Sequence, residues 1–267
     1  MKMVRQNKIN FLQPEWAQDF PLCAGFSTRN GGVSRPPFHS LNLGFNTEDT
    51  LYNVEGNRST LCRAFDVSPA SLLTVRQVHG NDILVIDEPN PDLGHFLAVE
   101  CDAIITNQPQ IMVGILTADC YPVLFWHPVA QVIAAAHVGW RGAVKGILGK
   151  VLDAFRELFQ AQAGDLYCAI GPGISAEHYE VGRDVRDEFV KAGIRWNEFA
   201  LEKKIGRLWQ LDIARCCRLQ LERGGVDPAK IADATSWCTF KNRELFFSYR
   251  RDKGQTGRQM GFIMMRP

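Results

Sequence analysis

The chain reads as an α+β protein in a single domain over residues 1–267. Short runs rich in β-branched, aromatic and small apolar residues recur from Leu22 to Met265 and predict many strands. Only a few segments carry apolar residues at three- and four-residue spacing. These do not alternate with the strands as regular βαβ units, which argues against a doubly wound sheet. No Pro/Ser/Gly linker, charge run or fixed-period repeat marks a boundary.

Taken in order, Leu22 to Ser27 predicts a strand that runs into the turn Thr28-Arg29-Asn30-Gly31-Gly32. A polar loop follows to Gly44, where Arg29, Ser40 and Asn42 offer donors to an anion or a sugar. Asn53 to Phe65 predicts an amphipathic helix with Val54, Leu61 and Phe65 on one face and Arg58 on the other. Leu72 to Gly80 reads as a strand that ends on His79, placing that imidazole at a cleft. Ile83 to Ile86, Cys101 to Thr106 and Ile111 to Thr117 are further strands. Ala143 to Ala161 has the strongest helical pattern, with Val144, Ile147, Leu148, Val151, Leu152, Phe155, Leu158 and Phe159 on one face. Its N-terminus, beside Arg141, is a candidate anion site. Leu166 to Ile170 predicts a strand, Asp184 to Lys191 and Leu211 to Arg223 predict helices, and the tail alternates strand-like segments over Leu245 to Arg251 and Gly257 to Met265.

With 46% hydrophobic and 22% charged residues the chain can bury a sizeable core. A net charge of +1 provides no field for nucleic acid or an anionic membrane surface, so a small-molecule substrate is expected. No run of about 18 apolar residues suggests a membrane span, and the first residues lack the apolar core of a signal peptide, which places the protein in the cytoplasm. The eight cysteines are then expected to be reduced. Cys23, Cys62, Cys168, Cys216 and Cys217 read as ordinary buried small residues.

The chemistry concentrates between Thr117 and Gly142. Tyr121 to Trp126 and Gln131 to Ala136 predict a β-hairpin around His127-Pro128-Val129-Ala130, which returns His137 alongside Cys120. With His79, this makes two imidazoles and a thiolate, three ligands that leave a fourth position open as a catalytic zinc requires. Zinc lowers the pKa of a bound water, less so beside a thiolate than in an all-histidine site. Three other readings use the same residues. Cys120 with His137 as base makes a thiol hydrolase or deamidase dyad. Two histidines, one cysteine and a weak axial Met112 suit copper, although six histidines in all are too few for a multicopper oxidase. The third is a structural zinc or plain core residues in a binding protein.

The segments Arg76-Gln77-Val78-His79-Gly80, Thr117-Ala118-Asp119-Cys120, Ala136-His137-Val138-Gly139-Trp140-Arg141-Gly142, Ile170-Gly171-Pro172, Phe246-Phe247-Ser248-Tyr249-Arg250-Arg251 and Gly257-Arg258-Gln259 resemble the bacterial YfiH family. That family is described variously as polyphenol oxidase with a laccase domain, purine nucleoside phosphorylase and peptidoglycan-editing factor. The resemblance runs from near Gly25 to the C-terminus. It implies one α+β domain of layered mixed sheets flanked by helices, distantly similar to cysteine deamidase toxins, with zinc held by His79, Cys120 and His137. It also implies phosphorolysis of adenosine, inosine and 5′-methylthioadenosine, and zinc-dependent deamination of adenosine. On motif membership and loop position, Arg29, Asn42, Gln77 and Arg141 are expected to hold substrate or phosphate, and Asp119 to orient a ligand or move a proton. Cys101, Cys216-Cys217 and Gly173 depart from the usual pattern without touching the proposed ligands.

Overall fold

A computed structural model describes residues 1–267. The chain opens with an antiparallel hairpin, β1 (Lys2–Gln6) and β2 (Ile9–Gln13), which pattern alone did not signal, and continues into β3 (Leu22–Ser27). Helix α1 (Leu51–Ala64) begins two residues before the predicted start because the Thr50 side chain accepts a hydrogen bond from the Asn53 N–H. Arg58 on this helix is buried rather than exposed. Its guanidinium donates to the Leu43 carbonyl at 2.9 Å and to Thr74 Oγ1 at 3.1 Å, and burial pulls its pKa down to about 10.

The strand expected to reach Gly80 stops after two residues, as β4 (Leu72–Leu73). Beyond it the Gln77 side chain replaces ladder bonds, donating to the Leu116 carbonyl and accepting the Leu116 N–H, both at 2.8 Å. The backbone is thereby released from strand geometry, and His79 takes φ +56. Next come β5 (Ile83–Ile86), β6 (Ala103–Thr106), β7 (Met112–Thr117), β8 (Tyr121–His127) and β9 (Val132–Val138). The β8–β9 hairpin forms as expected, with Pro122 opposite His137.

The long helix predicted from Ala143 divides into α2 (Trp140–Val144) and α3 (Ile147–Phe159), because Gly146 between them takes a left-handed φ of +73. Then follow β10 (Tyr167–Ile170), β11 (Glu180–Val181), α4 (Arg183–Lys191), β12 (Ala200–Lys204), β13 (Leu208–Leu211) and α5 (Ile213–Arg223), the last capped by Asp212, which accepts from the Arg215 N–H. The chain ends with β14 (Ile231–Asp233) and β15 (Gln259–Met265). Leu245 to Arg251, expected to be a strand, is irregular, with turns on either side of Phe246 to Ser248.

The strands make two six-stranded sheets. One has the order β1, β2, β3, β15, β7, β4 and the other β14, β10, β8, β9, β6, β5, while β11, β13 and β12 form a small third sheet. Period-two alternation buries both faces of each large sheet. On β8, Leu124 and Trp126 meet Val113, Ile115 and Ile263 of the facing sheet, whereas Val123 and Phe125 meet Val151 and Phe155 of α3. On β15, Phe262 and Met264 turn the other way, toward Leu61 and Cys62 of α1. The layers are therefore helix, sheet, sheet, helix, with the largest core on the α3–α5 side. Cys23, Cys62, Cys168, Cys216 and Cys217 sit in these cores, and all eight cysteines are free. No helix is long and apolar enough to cross a membrane.

The topology has one result that matters for chemistry. The chain crosses from the first sheet to the second twice, between β4 and β5 and between β7 and β8, and since β4 and β7 are parallel both crossings lie at the same end. His79 is on the first crossing and Cys120 on the second.

Candidate metal centre

His137 enters from the end of β9, as its penultimate residue. One potential donor atom from each of His79, Cys120 and His137 lies within 4.8 Å of the other two, the only such group of three in the chain. The imidazoles of His79 and His137 meet edge to face at 4.7 Å between centroids. Gly139 makes this approach feasible, because a Cβ there would lie 3.0 Å from Cys120 Sγ and 3.3 Å from the His79 ring.

A buried carboxylate that pattern reading missed organises the cluster. Asp102 is fully buried at the start of β6. Its Oδ1 lies 2.7 Å from His137 Nδ1 and accepts the His79 N–H at 3.0 Å, while Oδ2 accepts the N–H groups of Val78 at 3.1 Å and Gly80 at 2.6 Å. One side chain thus orients both histidines. With Nδ1 of His137 engaged, Nε2 is the atom left for a metal. The available signal was an aspartate inside the apolar run Cys101 to Ile105, since a carboxylate is buried only where donors meet it.

Burial opposes ionisation of Cys120, but the charge of His137 and hydrogen bonds from both imidazoles outweigh it and bring the thiol down to about 6. Burial likewise opposes the charge on His137, and the Cys120 thiolate with the Asp102 carboxylate raises it to about 9. The two shifts favour a thiolate beside an imidazolium, and displacing a proton from His137 gives the N, N, S set that zinc or copper accepts. The residues therefore fit a metal ion. Met112 does not join them: it is buried under α1 at the far end of β7, away from the position expected of an axial copper ligand.

The cluster opens into a cavity of about 580 Å³. Gln77, Asp119 and Arg141 also line it, but Gln77 spends its amide on Leu116. Arg29 and Asn42 do not reach it. The Arg29 guanidinium donates to the carbonyls of His39 at 2.6 Å and Arg243 at 3.0 Å. Asn42 is fully buried; its Nδ2 donates to Thr47 and Asp49, and its Oδ1 accepts the N–H groups of Gly44 and Arg258. Both residues shape the loops around the cavity.

Two arginines to which the motifs gave no role line it instead. Arg250 and Arg258 line the cavity with Arg141. Each guanidinium lies over an aromatic ring, Arg141 over Trp140, Arg250 over Tyr179 and Arg258 over Tyr249. None is in an ion pair, and the hydrogen bonds of Arg250 and Arg258 go to the carbonyls of Glu180, Thr256 and Gly257. Burial lowers the pKa of Arg258. Of the helix start expected to bind an anion, Arg141 lines the cavity, and α2 itself has only five residues.

A family model described as multi-copper polyphenol oxidoreductase laccase matches residues 23–266. The purine nucleoside phosphorylase YfiH of Escherichia coli is 36% identical over 253 residues, covering 94% of this chain and 97% of its own. The purine nucleoside phosphorylase YlmD of Bacillus subtilis is 34% identical over 260 residues, covering 94% and 93%. The crystal structure of YlmD from Geobacillus stearothermophilus superposes with a TM-score of 0.91 at 30% identity over 99% of both chains.

Proposed function

The chain belongs to the multi-copper polyphenol oxidoreductase laccase family, with YfiH and YlmD, and from that membership we propose that it is a zinc-dependent purine nucleoside phosphorylase that also deaminates adenosine. Its substrates are adenosine, inosine and 5′-methylthioadenosine with inorganic phosphate. The observation that carries the reading is the convergence in one cavity of the His79, Cys120 and His137 donors with three arginines in no ion pair.

His79, Cys120 and His137 would hold the metal, which would supply Lewis acidity when bound. Arg141, Arg250 and Arg258 hold phosphate through charge-assisted hydrogen bonds and direct one of its oxygens at C1′. That oxygen forms the new bond to C1′ as the bond to the purine nitrogen breaks. The proton of hydrogen phosphate passes to that purine nitrogen, so the base leaves neutral and the sugar as its 1-phosphate. In deamination, water adds at C6 and ammonia departs, leaving inosine. His137, held by Asp102, keeps its imidazole aimed at the cavity throughout.

A second reading rests on the depressed Cys120 thiol beside a charged His137, which without metal is the arrangement of a thiol hydrolase. One experiment separates them: chromatography of adenosine incubated with metal-assayed protein, with and without phosphate, beside Cys120→Ala. Adenine formed only with phosphate and lost in the variant supports phosphorolysis, and inosine formed without phosphate supports deamination. Neither product at any zinc or copper loading removes the nucleoside reading, and full activity of metal-free protein that alkylation of Cys120 abolishes establishes the thiol enzyme.

A further inference from the structure

Asp119 lies between the metal donors and the arginines, and its own bonds describe how the two are joined. It precedes Cys120 and takes φ +97, a backbone conformation that side chains other than glycine rarely adopt. Its Oδ1 accepts from Thr239 Oγ1 at 2.7 Å and its Oδ2 accepts the backbone N–H of Arg250, also at 2.7 Å. Its carbonyl accepts the Ile174 N–H at 2.9 Å. Both carboxylate oxygens are thus engaged with one stretch of chain, the segment from Cys238 to Arg258.

That segment contains no helix or strand. Internally, Arg251 laces it by donating to the carbonyls of Thr239 at 2.8 Å, Phe240 at 3.2 Å and Phe246 at 3.0 Å, and Asn242 donates to the Cys238 carbonyl. Asp119 is its link to the turn that carries Cys120; elsewhere it is held by the Thr239 N–H on the Gly173 carbonyl, by Ser175 on Cys238 and by the buried rings of Phe246 and Phe247. We infer that Asp119 is a positioning residue: its carboxylate clamps the segment carrying Arg250 to the turn carrying Cys120, and so sets the distance between the bound anion and the metal donors. This rests on the reading of the arginines as the phosphate site.

The clamp needs two acceptor contacts and no proton transfer, which makes it separable from catalysis. In Asp119→Asn the amide oxygen accepts the Arg250 N–H and the amide nitrogen donates to Thr239 Oγ1, a hydroxyl able to accept, so the geometry is kept while proton exchange is removed. Asp119→Ala loses both contacts.

The test compares zinc content, phosphate KM with kcat, and trypsin cleavage after Arg250, Arg251 or Lys253. Asp119→Ala is expected to keep its zinc, to raise the phosphate KM by roughly tenfold with a smaller change in kcat, and to be cleaved faster. Asp119→Asn is expected to hold the phosphate KM within about threefold of the parent and to keep the parent's trypsin resistance. Arg250→Ala, which retains the backbone contact, is expected to raise the phosphate KM while staying resistant. Loss of kcat in Asp119→Asn as complete as in Asp119→Ala, with phosphate KM unchanged in both, overturns the inference, as does parental trypsin resistance in Asp119→Ala. A parent that turns over no nucleoside removes the phosphorylase reading but leaves the trypsin arm to decide the clamp. If Asp119→Ala is insoluble, Thr239→Val takes its place. Intermediate cleavage supports the clamp, and cleavage identical to the parent overturns it.

Discussion

On one side of the cavity, His79, Cys120 and His137 are carried by two inter-sheet crossings and a strand end. On the other, Arg250 and Arg258 are carried by a segment without regular structure. The metal side inherits its geometry from ladders that bury both faces of each sheet, and the carboxylate of Asp102 adds the final orientation. The arginine side is held by side-chain to backbone bonds, those of Arg251, Asp119, Arg29 and Asn30 among them, and by the buried rings of Phe246 and Phe247 in place of ladder bonds. A cavity built this way keeps its metal donors fixed while the arginine wall can be altered independently. Substitutions should therefore divide into two classes, one read in metal content and the other in anion affinity.

The largest expected effect is that of His137→Ala, which removes a donor and leaves Asp102 without its imidazole. Zinc measured by mass spectrometry should fall to near zero, and nucleoside turnover with it. Retained stoichiometric zinc would mean that the cluster is not the metal site. Asp102→Asn should come next. An amide cannot offer four acceptor contacts, and the affinity for zinc, titrated against a chelator, should weaken by roughly 10- to 100-fold. If the loss appears instead in phosphate KM with metal affinity intact, the division between the two sides fails.

Arg251→Ala tests the other side. Three carbonyls lose a charged donor, and a cost of about 2–3 kcal/mol is expected from urea unfolding, with zinc content unchanged and phosphate KM raised. The smallest effect belongs to a pair remote from both. Burial raises the Asp233 pKa, but hydrogen bonds from Thr235 and the charge of Arg218 outweigh that and hold it below the ordinary value. Its contribution is present above the unfolded pKa of about 3.9 and is lost as pH falls through the lower folded value. Asp233→Asn should remove about 1 kcal/mol at pH 6 and progressively less toward pH 3, without altering zinc or phosphate binding.

The same contrast explains what was legible in the amino-acid sequence. The hairpin from Tyr121 to Val138 announces itself by two apolar runs around a turn, and its pairing brings Cys120 and His137 together from local information alone. α1 and α3 were legible from periodicity, with errors at Arg58 and Gly146 where a buried hydrogen bond and a left-handed residue overrode the pattern. The arginine wall carried no such signal. Arg250 and Arg258 reach the cavity only because a strandless segment is tied to Asp119 and Asn42, partners more than a hundred residues away in the chain. Loop position puts Arg29 and Asn42 near the site but does not reveal that their donors are already taken by neighbouring backbone and side chains.

The two crossings between sheets give the metal cluster a mechanical meaning. An ion shared by His79, Cys120 and His137 is a rivet through both layers, joining the loop after β4, the turn after β7 and the end of β9. Its occupancy is then registered in how tightly the layers close on one another, since any ion that binds the folded form alone stabilises it in proportion to the logarithm of its concentration over its dissociation constant. Slower amide exchange along β7 and β8 in metal-loaded protein would record that closure, deep in the molecule and away from any substrate.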